Sequence, residues 1–218
     1  PITTVSLVCM ALLSKFALTK QGVASNVADL MQLIESHKDD ALVDRGRSIG
    51  ESVQSALNML TQTDILLRQG DALHTKYTIN RAKYLQATYY ANMSVHQLFH
   101  RAFVELALLK VVQTEVPERS AEFWTEIMSL RDVFKFEFFY SSKEAFTTEI
   151  ESELAYFRKD WNKYFFQQKS DLKNFLKKQK ILVAPVILSN YIEAYKVVGQ
   201  GLQIWDVSVP FDNKKFTD

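Results

Sequence analysis

The stretch ILLRQGDALHTKYTI, residues 65–79, decides the fold class, because it carries the pattern of a β-hairpin. Two β-prone runs, 65–68 and 75–79, flank a turn at Gly70 and Asp71. Two such runs around a turn signal are typical of paired antiparallel strands. In the rest of the chain, apolar residues recur at helical spacing. The sequence therefore predicts a mainly α-helical bundle with one small β-hairpin.

Three predicted helices precede the hairpin. The first has apolar residues at helical spacing over 2–18 and is predicted to end near Gly22. The second is capped by Ser25 or Asn26, and the third spans residues 48–62. A short polar side chain at a helix start accepts a hydrogen bond from an otherwise free backbone N–H. Three helices followed by a hairpin is the element order of a winged helix. Residues 1–80 are therefore predicted to form a winged-helix-like unit.

The remainder of the chain is predicted to be helical. Apolar periodicity predicts helices over 84–112, 121–139, 144–156, 170–178 and 181–202, and a tail over 206–218. Pro117 ends the first of these helices, because proline removes a backbone donor. Residues 81–218 are therefore predicted to form a helical domain that packs on the first unit.

The charge balance argues against nucleic-acid binding. The 218 residues include 26 basic and 25 acidic side chains, a formal net charge of +1. The helix over 48–62, which would be the recognition helix of a winged helix, contains no Arg or Lys. Phosphate contacts from such cations supply much of the affinity for DNA. We therefore predict no nucleic-acid partner.

Positive charge is concentrated in residues 158–180, which hold eight basic and two acidic side chains interleaved with aromatic ones. One interpretation is a surface that faces an anionic membrane or a phosphorylated ligand. The other is a solvated helix whose aromatic residues pack on the protein body. The first interpretation makes candidates of five lysines: Lys163, Lys169, Lys173, Lys177 and Lys178.

Several kinds of site are not indicated by the sequence. No uncharged apolar run reaches the roughly 20 residues of a transmembrane helix. His96 and His100 have the spacing of two metal ligands, but no further ligand completes a metal signature. Neither a phosphate-binding glycine loop nor a nucleophile motif is present. We therefore assign no metal, cofactor or catalytic residue, and Cys9 is interpreted as a buried, inert thiol.

Three segments resemble one family when they are taken together and in order. LQATYYANMSVH, residues 85–96, is similar to the Tyr-Tyr-x-Asn-x-x-x-His element of membrane-associated, PlsB-type glycerol-3-phosphate acyltransferases. FKFEFFY, residues 134–140, resembles the Lys-x-Glu-Phe-Phe segment of that family. LVAPVILSNYIEAY, residues 182–195, resembles its later helix with Pro and Glu-Ala/Ser-Tyr, and residues 1–8 resemble the region just after its catalytic domain.

The family's catalytic His-x-x-x-x-Asp motif is not matched here. The residues five positions after the four histidines are Leu42, Ile79, Arg101 and Glu105. The resemblance therefore implies a carboxy-terminal, non-catalytic region of a glycerol-3-phosphate 1-O-acyltransferase of phospholipid biosynthesis. Whether the chain counts as an enzyme by itself stays open. The alternative is a stand-alone helical protein-interaction domain with a winged-helix-like start.

The resemblance also implies partners. They are an acyltransferase domain in the same polypeptide and an acyl donor, either acyl-CoA or acyl-carrier protein. The implied location is peripheral, on the cytoplasmic face of a membrane. Because the chain begins at Pro1 and not at Met, we expect it to be a piece of a longer polypeptide.

Two pairs of residues in the resembling segments are candidates for substrate or interdomain contacts. Asn92 and His96 are four apart and share a face of the predicted helix. They either face the catalytic domain, or His96 is a buried, hydrogen-bonded residue. Lys135 and Glu137 lie about 200° apart on a helix, so at most one of them can point into the core. In one interpretation, one of the two residues contacts the catalytic domain, or Lys135 contacts the phosphate of glycerol 3-phosphate. In the other, both side chains reach solvent.

Overall fold

The computed structural model describes residues 2–35, 47–71, 74–115, 117–167, 169–178 and 183–204. The predicted tail over 206–218 lies outside these residues. In the part of the chain that is described, there are ten α-helices and one small antiparallel sheet. The mainly α-helical class with a small hairpin is therefore confirmed.

The first half of the chain contains the sheet. Its elements are α1 (Thr4–Ser14), β1 (Leu18–Thr19), α2 (Lys20–Glu35), α3 (Ile49–Gln62), β2 (Leu66–Gln69) and β3 (Lys76–Ile79). The predicted hairpin is β2 and β3, with Leu66 opposite Ile79 and Gln69 opposite Lys76. The short strand β1 pairs with the other edge of β3, giving the order β1-β3-β2. The sequence did not predict β1, because two residues are too few to show strand alternation.

The start of α3 was predicted correctly. The Ser48 hydroxyl accepts from the Glu51 amide, and the Glu51 carboxylate accepts from the Ser48 amide at 3.0 Å. This reciprocal capping box satisfies two backbone donors that the helix leaves free. The predicted end of the first helix near Gly22 was wrong, since α1 ends at Ser14 and Leu18 belongs to the sheet.

The predicted caps of the second helix were also wrong. The helix begins at Lys20, and Ser25 and Asn26 lie inside it. Thr19 stands at the start instead, where its hydroxyl oxygen accepts from the Gly22 amide at 3.1 Å. Pairing of β1 with β3 fixes the direction of the chain just before this point, and the helix starts directly after the strand.

The second half of the chain is helical. Its helices are α4 (Tyr84–Asn92), α5 (Phe99–Gln113), α6 (Arg119–Val133), α7 (Lys143–Phe157), α8 (Trp161–Gln167), α9 (Lys169–Lys178) and α10 (Ala184–Ile204). Helix α5 packs against α6, α7, α9 and α10, whereas α1 packs against α2, α3, α4 and α10. These two helices therefore form the centres of the core. The winged-helix likeness and the domain division at residue 80 stay predictions.

The predicted single helix over 84–112 is two helices. Between α4 and α5 the chain makes a 3-10 turn, Val95–Gln97. Two backbone hydrogen bonds flank it: the Ser94 amide donates to the Ala91 carbonyl, and the Leu98 amide donates to the Val95 carbonyl. Ser94 is fully buried, and its hydroxyl bonds to that of Ser6 in α1. A buried hydroxyl requires a partner, so the contact with α1 stabilises the break.

The helix predicted over 121–139 ends early, because α6 stops at Val133. Phe134 and Phe138 turn inward and are buried, and the Tyr140 hydroxyl donates to the Phe134 carbonyl at 3.2 Å. Burial of two large rings outweighs continuation of the helix, since each buried aromatic side chain contributes about 1.5–3 kcal/mol.

Candidate functional site

A buried ionic centre joins α5, α7 and α10. The Arg101 guanidinium donates to Glu105 at 3.1 Å and to Glu153 at 3.2 Å. The second Glu105 oxygen accepts from the amides of Val183 and Ala184, at 2.8 and 2.9 Å. These amides are at the start of α10, so Glu105 caps a helix that is distant in the sequence.

The charges of this centre are enclosed. Arg101 is 5%, Glu105 0% and Glu153 2% exposed, and the Arg101 guanidinium lies 3.1 Å from the centre of the Phe157 ring. Burial raises the pKa of Glu105 from its ordinary value to about 7, while the Arg101 charge and the two amides act in the opposite direction. Because its members are enclosed, we interpret the centre as structural: it holds α10 against α5.

The sequence reasoning missed this centre. It considered Glu105 only for its position relative to His100. The available signal was an Arg and a Glu four apart within the apolar helix α5, a spacing that places the two side chains on one face. The third member, Glu153, is remote in sequence, so no local pattern could have included it.

Asn92 and His96 are both exposed. Asn92 is the last residue of α4, and His96 lies in the 3-10 turn that follows. The alternative that His96 is buried is therefore wrong. In the chain, the two residues lie on either side of buried Ser94.

Lys135 and Glu137 lie outside the helices, and both head groups are exposed. The Lys135 ammonium is 4.9 Å from the centre of the Phe136 ring, and the Tyr195 hydroxyl donates to Glu137 at 2.7 Å. This hydrogen bond is the main reason why the pKa of Tyr195 is raised to about 12. Glu137 thus fixes the turn after α6 to α10, whereas Lys135 is directed to the surface.

The basic segment packs its apolar residues inward and directs its lysines outward, and contact with a membrane or a phosphorylated ligand stays a prediction. On α9, Leu172 and Leu176 are buried, and the Phe175 ring lies 4.9 Å from that of Phe165. The aromatic and apolar residues therefore pack on the body. The lysines whose side chains are described point outward: Lys163, Lys173, Lys177 and Lys178. Lys169 begins α9, and its side chain lies outside the described part.

The remaining candidates occupy ordinary structural positions. His100 lies 3.1 Å from Glu149, and its ring is 3.9 Å from that of Phe99. Among the described residues, no three His, Cys, Asp or Glu side chains are grouped to hold a metal ion. Cys9 is buried, which raises the pKa of its thiol to about 12. None of the described helices has both the length and the apolarity to cross a bilayer.

Comparison with known proteins gives the class. The family described as "Glycerol-3-phosphate acyltransferase C-terminal region" matches residues 1–218, so the chain belongs to that family. The resemblance read from residues 85–96, 134–140 and 182–195 is confirmed.

The chain is also similar to curated proteins that are longer than it is. The chain is 24% identical over 205 residues to proteins described as acyltransferase plsB1 in Mycobacterium tuberculosis and Mycobacterium bovis. The match covers 93% of this chain and 33% of the relatives, so the chain spans about a third of their length. No solved structure matches the chain.

Proposed function

We propose that this chain is the carboxy-terminal, non-catalytic region of a glycerol-3-phosphate 1-O-acyltransferase and supports a catalytic domain of the same polypeptide. The observation that carries the proposal is the family match over all 218 residues, together with relatives about three times as long that are described as acyltransferases. Since residues 1–218 do not contain the His-x-x-x-x-Asp motif, we propose that the proton-abstracting base lies outside them.

In the proposed reaction, the glycerol 3-phosphate hydroxyl attacks the thioester carbonyl of acyl-CoA or acyl-carrier protein. The base takes the hydroxyl proton and an ester bond forms. The carbon–sulfur bond breaks, and the donor leaves as a free thiol after its sulfur takes up that proton. The structure supports a scaffolding role for this region, since the ionic centre and the aromatic residues around Phe103 hold α5, α7 and α10 as one packed body.

The test uses the longest natural polypeptide that contains residues 1–218. We expect it to acylate glycerol 3-phosphate with one or both thioester donors. Glu105→Ala should lower turnover by loosening the scaffold, whereas the matched surface change Glu149→Gln should leave turnover near the original value. Absence of acyl transfer from a folded polypeptide with either donor contradicts the proposal.

We also propose that Lys135 takes part in attracting the phosphate of the substrate. Its ammonium is exposed beside Phe136. Lys135→Ala should raise KM for glycerol 3-phosphate and leave kcat unchanged, and Lys143→Ala is the matched control, since Lys143 is also exposed. An unchanged KM contradicts this role.

For the membrane, we propose peripheral contact through the outward lysines of α8 and α9. Each lysine near an anionic surface contributes about 1 kcal/mol, so changing Lys173, Lys177 and Lys178 to Gln should weaken binding to phosphatidylglycerol vesicles about a hundredfold. A control that replaces Lys15, Lys20 and Lys76, which are exposed elsewhere, should have little effect. Equal effects of the two triple variants contradict the assignment.

A further inference from the structure

Helix α4 buries small residues and exposes large apolar ones, which is the reverse of the usual arrangement in a surface helix. The residues that it buries are small: Ala87, Thr88 and Ala91. The large ones point to solvent, with Leu85 82%, Tyr89 70% and Met93 42% exposed. A surface helix normally directs its large apolar residues to the core.

These exposed residues form one stripe. Residues four apart lie one above the other on a helix, so Leu85, Tyr89 and Met93 form a row, with Asn92 beside it. His96 follows in the next turn and is also exposed. We call these five residues the α4 stripe. It contains no Asp, Glu, Lys or Arg, and the exposure of three large apolar side chains in one row is typical of an interaction surface.

A groove runs beside the stripe. It has a volume of about 380 Å³ and lies between the start of β2 and α4, with Ile65, Leu85 and Tyr90 among its walls. Lys83 also lines it, and no carboxylate among the described residues pairs with this ammonium. The surface therefore combines exposed apolar side chains, a groove and the positive charge of Lys83, to which a partner could bind.

The position of the upstream chain indicates what covers the stripe. Ile2 is buried, and Thr3 caps α1 by accepting from the Ser6 amide at 3.2 Å. The Ser6 hydroxyl bonds to Ser94, which directly follows Met93 of the stripe. A polypeptide that continues upstream of residue 2 is therefore anchored at the Met93 end of α4.

We propose that the α4 stripe is the surface on which the upstream acyltransferase domain of the same polypeptide docks. This inference rests on the function proposed above and adds the location of the contact. The anchored linkage holds the upstream domain close to the stripe, which favours an intramolecular partner over a separate protein. A carboxylate of that domain opposite Lys83 would complete the contact.

The test measures accessibility in the longest natural polypeptide that contains residues 1–218. Leu85→Cys and Tyr89→Cys are alkylated in the native state, and the modified peptides are quantified by mass spectrometry. Phe16→Cys is the matched control, because Phe16 is a 93% exposed apolar residue outside the segments assigned to the substrate or the catalytic domain. Cys9 is buried and serves as an internal unreactive reference.

We expect the two α4 cysteines to react at least tenfold more slowly than Phe16→Cys, at a rate that does not depend on protein concentration. Rates similar to the control overturn the inference. Protection that appears only at high concentration also overturns it, since it indicates a second copy on the stripe. Hydroxyl-radical footprinting of Tyr89 and Met93 in the unmodified protein gives the same answer without any substitution.

The accessibility experiment distinguishes failure of the docking inference from failure of the proposed function. Protection of the stripe in a polypeptide that does not acylate glycerol 3-phosphate removes the function and keeps the docking surface. Acyl transfer by a polypeptide whose stripe reacts freely keeps the function and removes the docking surface.

Discussion

Helices α4 and α5 follow each other in the chain, and they place apolar and charged residues in opposite ways. In α5, Arg101 and Glu105 are enclosed together with the apolar side chains. In α4, the large apolar side chains Leu85 and Tyr89 are exposed, and only small residues are buried. Residues 84–112, which the apolar periodicity predicts as one helix, thus form two helices with different surroundings.

The difference lies in the neighbours. Helix α5 packs against α6, α7, α9 and α10, so most of its surface meets another element, whereas the extensive helix contact of α4 is with α1. The apolar content of a helix therefore does not indicate which of its faces is covered. In α5, charged groups had to pair with one another, and in α4 the apolar groups are left for a partner.

The largest expected effect is at the enclosed charges of α5. Glu105→Ala leaves two α10 amides without their acceptor and removes one partner of the Arg101 guanidinium. Breaking a buried ion pair in this way costs about 3–5 kcal/mol. Urea denaturation should show this loss in the free energy of unfolding. The control is Glu149→Gln, at a partly exposed carboxylate, which should lower the free energy of unfolding by less than about 1 kcal/mol. Equal losses from the two variants would show that the charges of α5 are not enclosed.

A dependence on pH follows from the same residue. The folded pKa of Glu105 is raised to about 7, above the value of a free glutamate, so folding favours the protonated form. The contribution of Glu105 to the free energy of unfolding is therefore fully present below the pKa of the unfolded state. It is lost as pH rises through about 7. Between pH 4.5 and 7.5, the protein should lose about 1–3 kcal/mol relative to Glu105→Gln. A stability difference between the two proteins that stays constant with pH contradicts the raised pKa.

A moderate effect is expected at the break between the helices. Ser94→Ala removes the hydroxyl that bonds to Ser6, but the Ser6 hydroxyl keeps its bond to the Thr3 carbonyl at 2.7 Å. One hydrogen bond of this kind contributes about 1 kcal/mol, and thermal unfolding should show a loss of that size. Ser129→Ala, at an exposed position of α6, is the control and should have no measurable effect. No loss from Ser94→Ala would mean that the break does not depend on this contact.

The smallest effect is expected on the α4 stripe. In the 218-residue chain, Leu85→Ser and Tyr89→Ser should change the free energy of unfolding by less than about 0.5 kcal/mol, because both side chains are mostly exposed. Chemical denaturation of each variant measures this. A loss of 2 kcal/mol or more from either change would show that the stripe packs within this region, which would remove the contrast between α4 and α5.

Local patterns predicted the elements whose ends are set by neighbouring residues. The hairpin followed from two β-prone runs around Gly70, and the start of α3 followed from Ser48. The break at Ser94 and the end of α6 at Val133 could not be predicted in this way. Both depend on what a side chain meets in a distant segment: Ser6 for the first and, for the second, the α5 and α10 rings that contact Phe134.

The candidate residues show the same limit. Their positions in the resembling segments were available from the sequence, and the family is confirmed. Their surroundings were not, since Glu137 pairs with Tyr195 across 58 positions and Arg101 with Glu153 across 52.

The sequence by itself determined the helical class, the hairpin and the family, because periodicity, turn residues and ordered motifs are properties of the chain read in order. Only the tertiary structure decided which charges are enclosed and which apolar face is left open. Burial is a property of the packed neighbours, and in α4 and α5 those neighbours are mostly remote in the sequence.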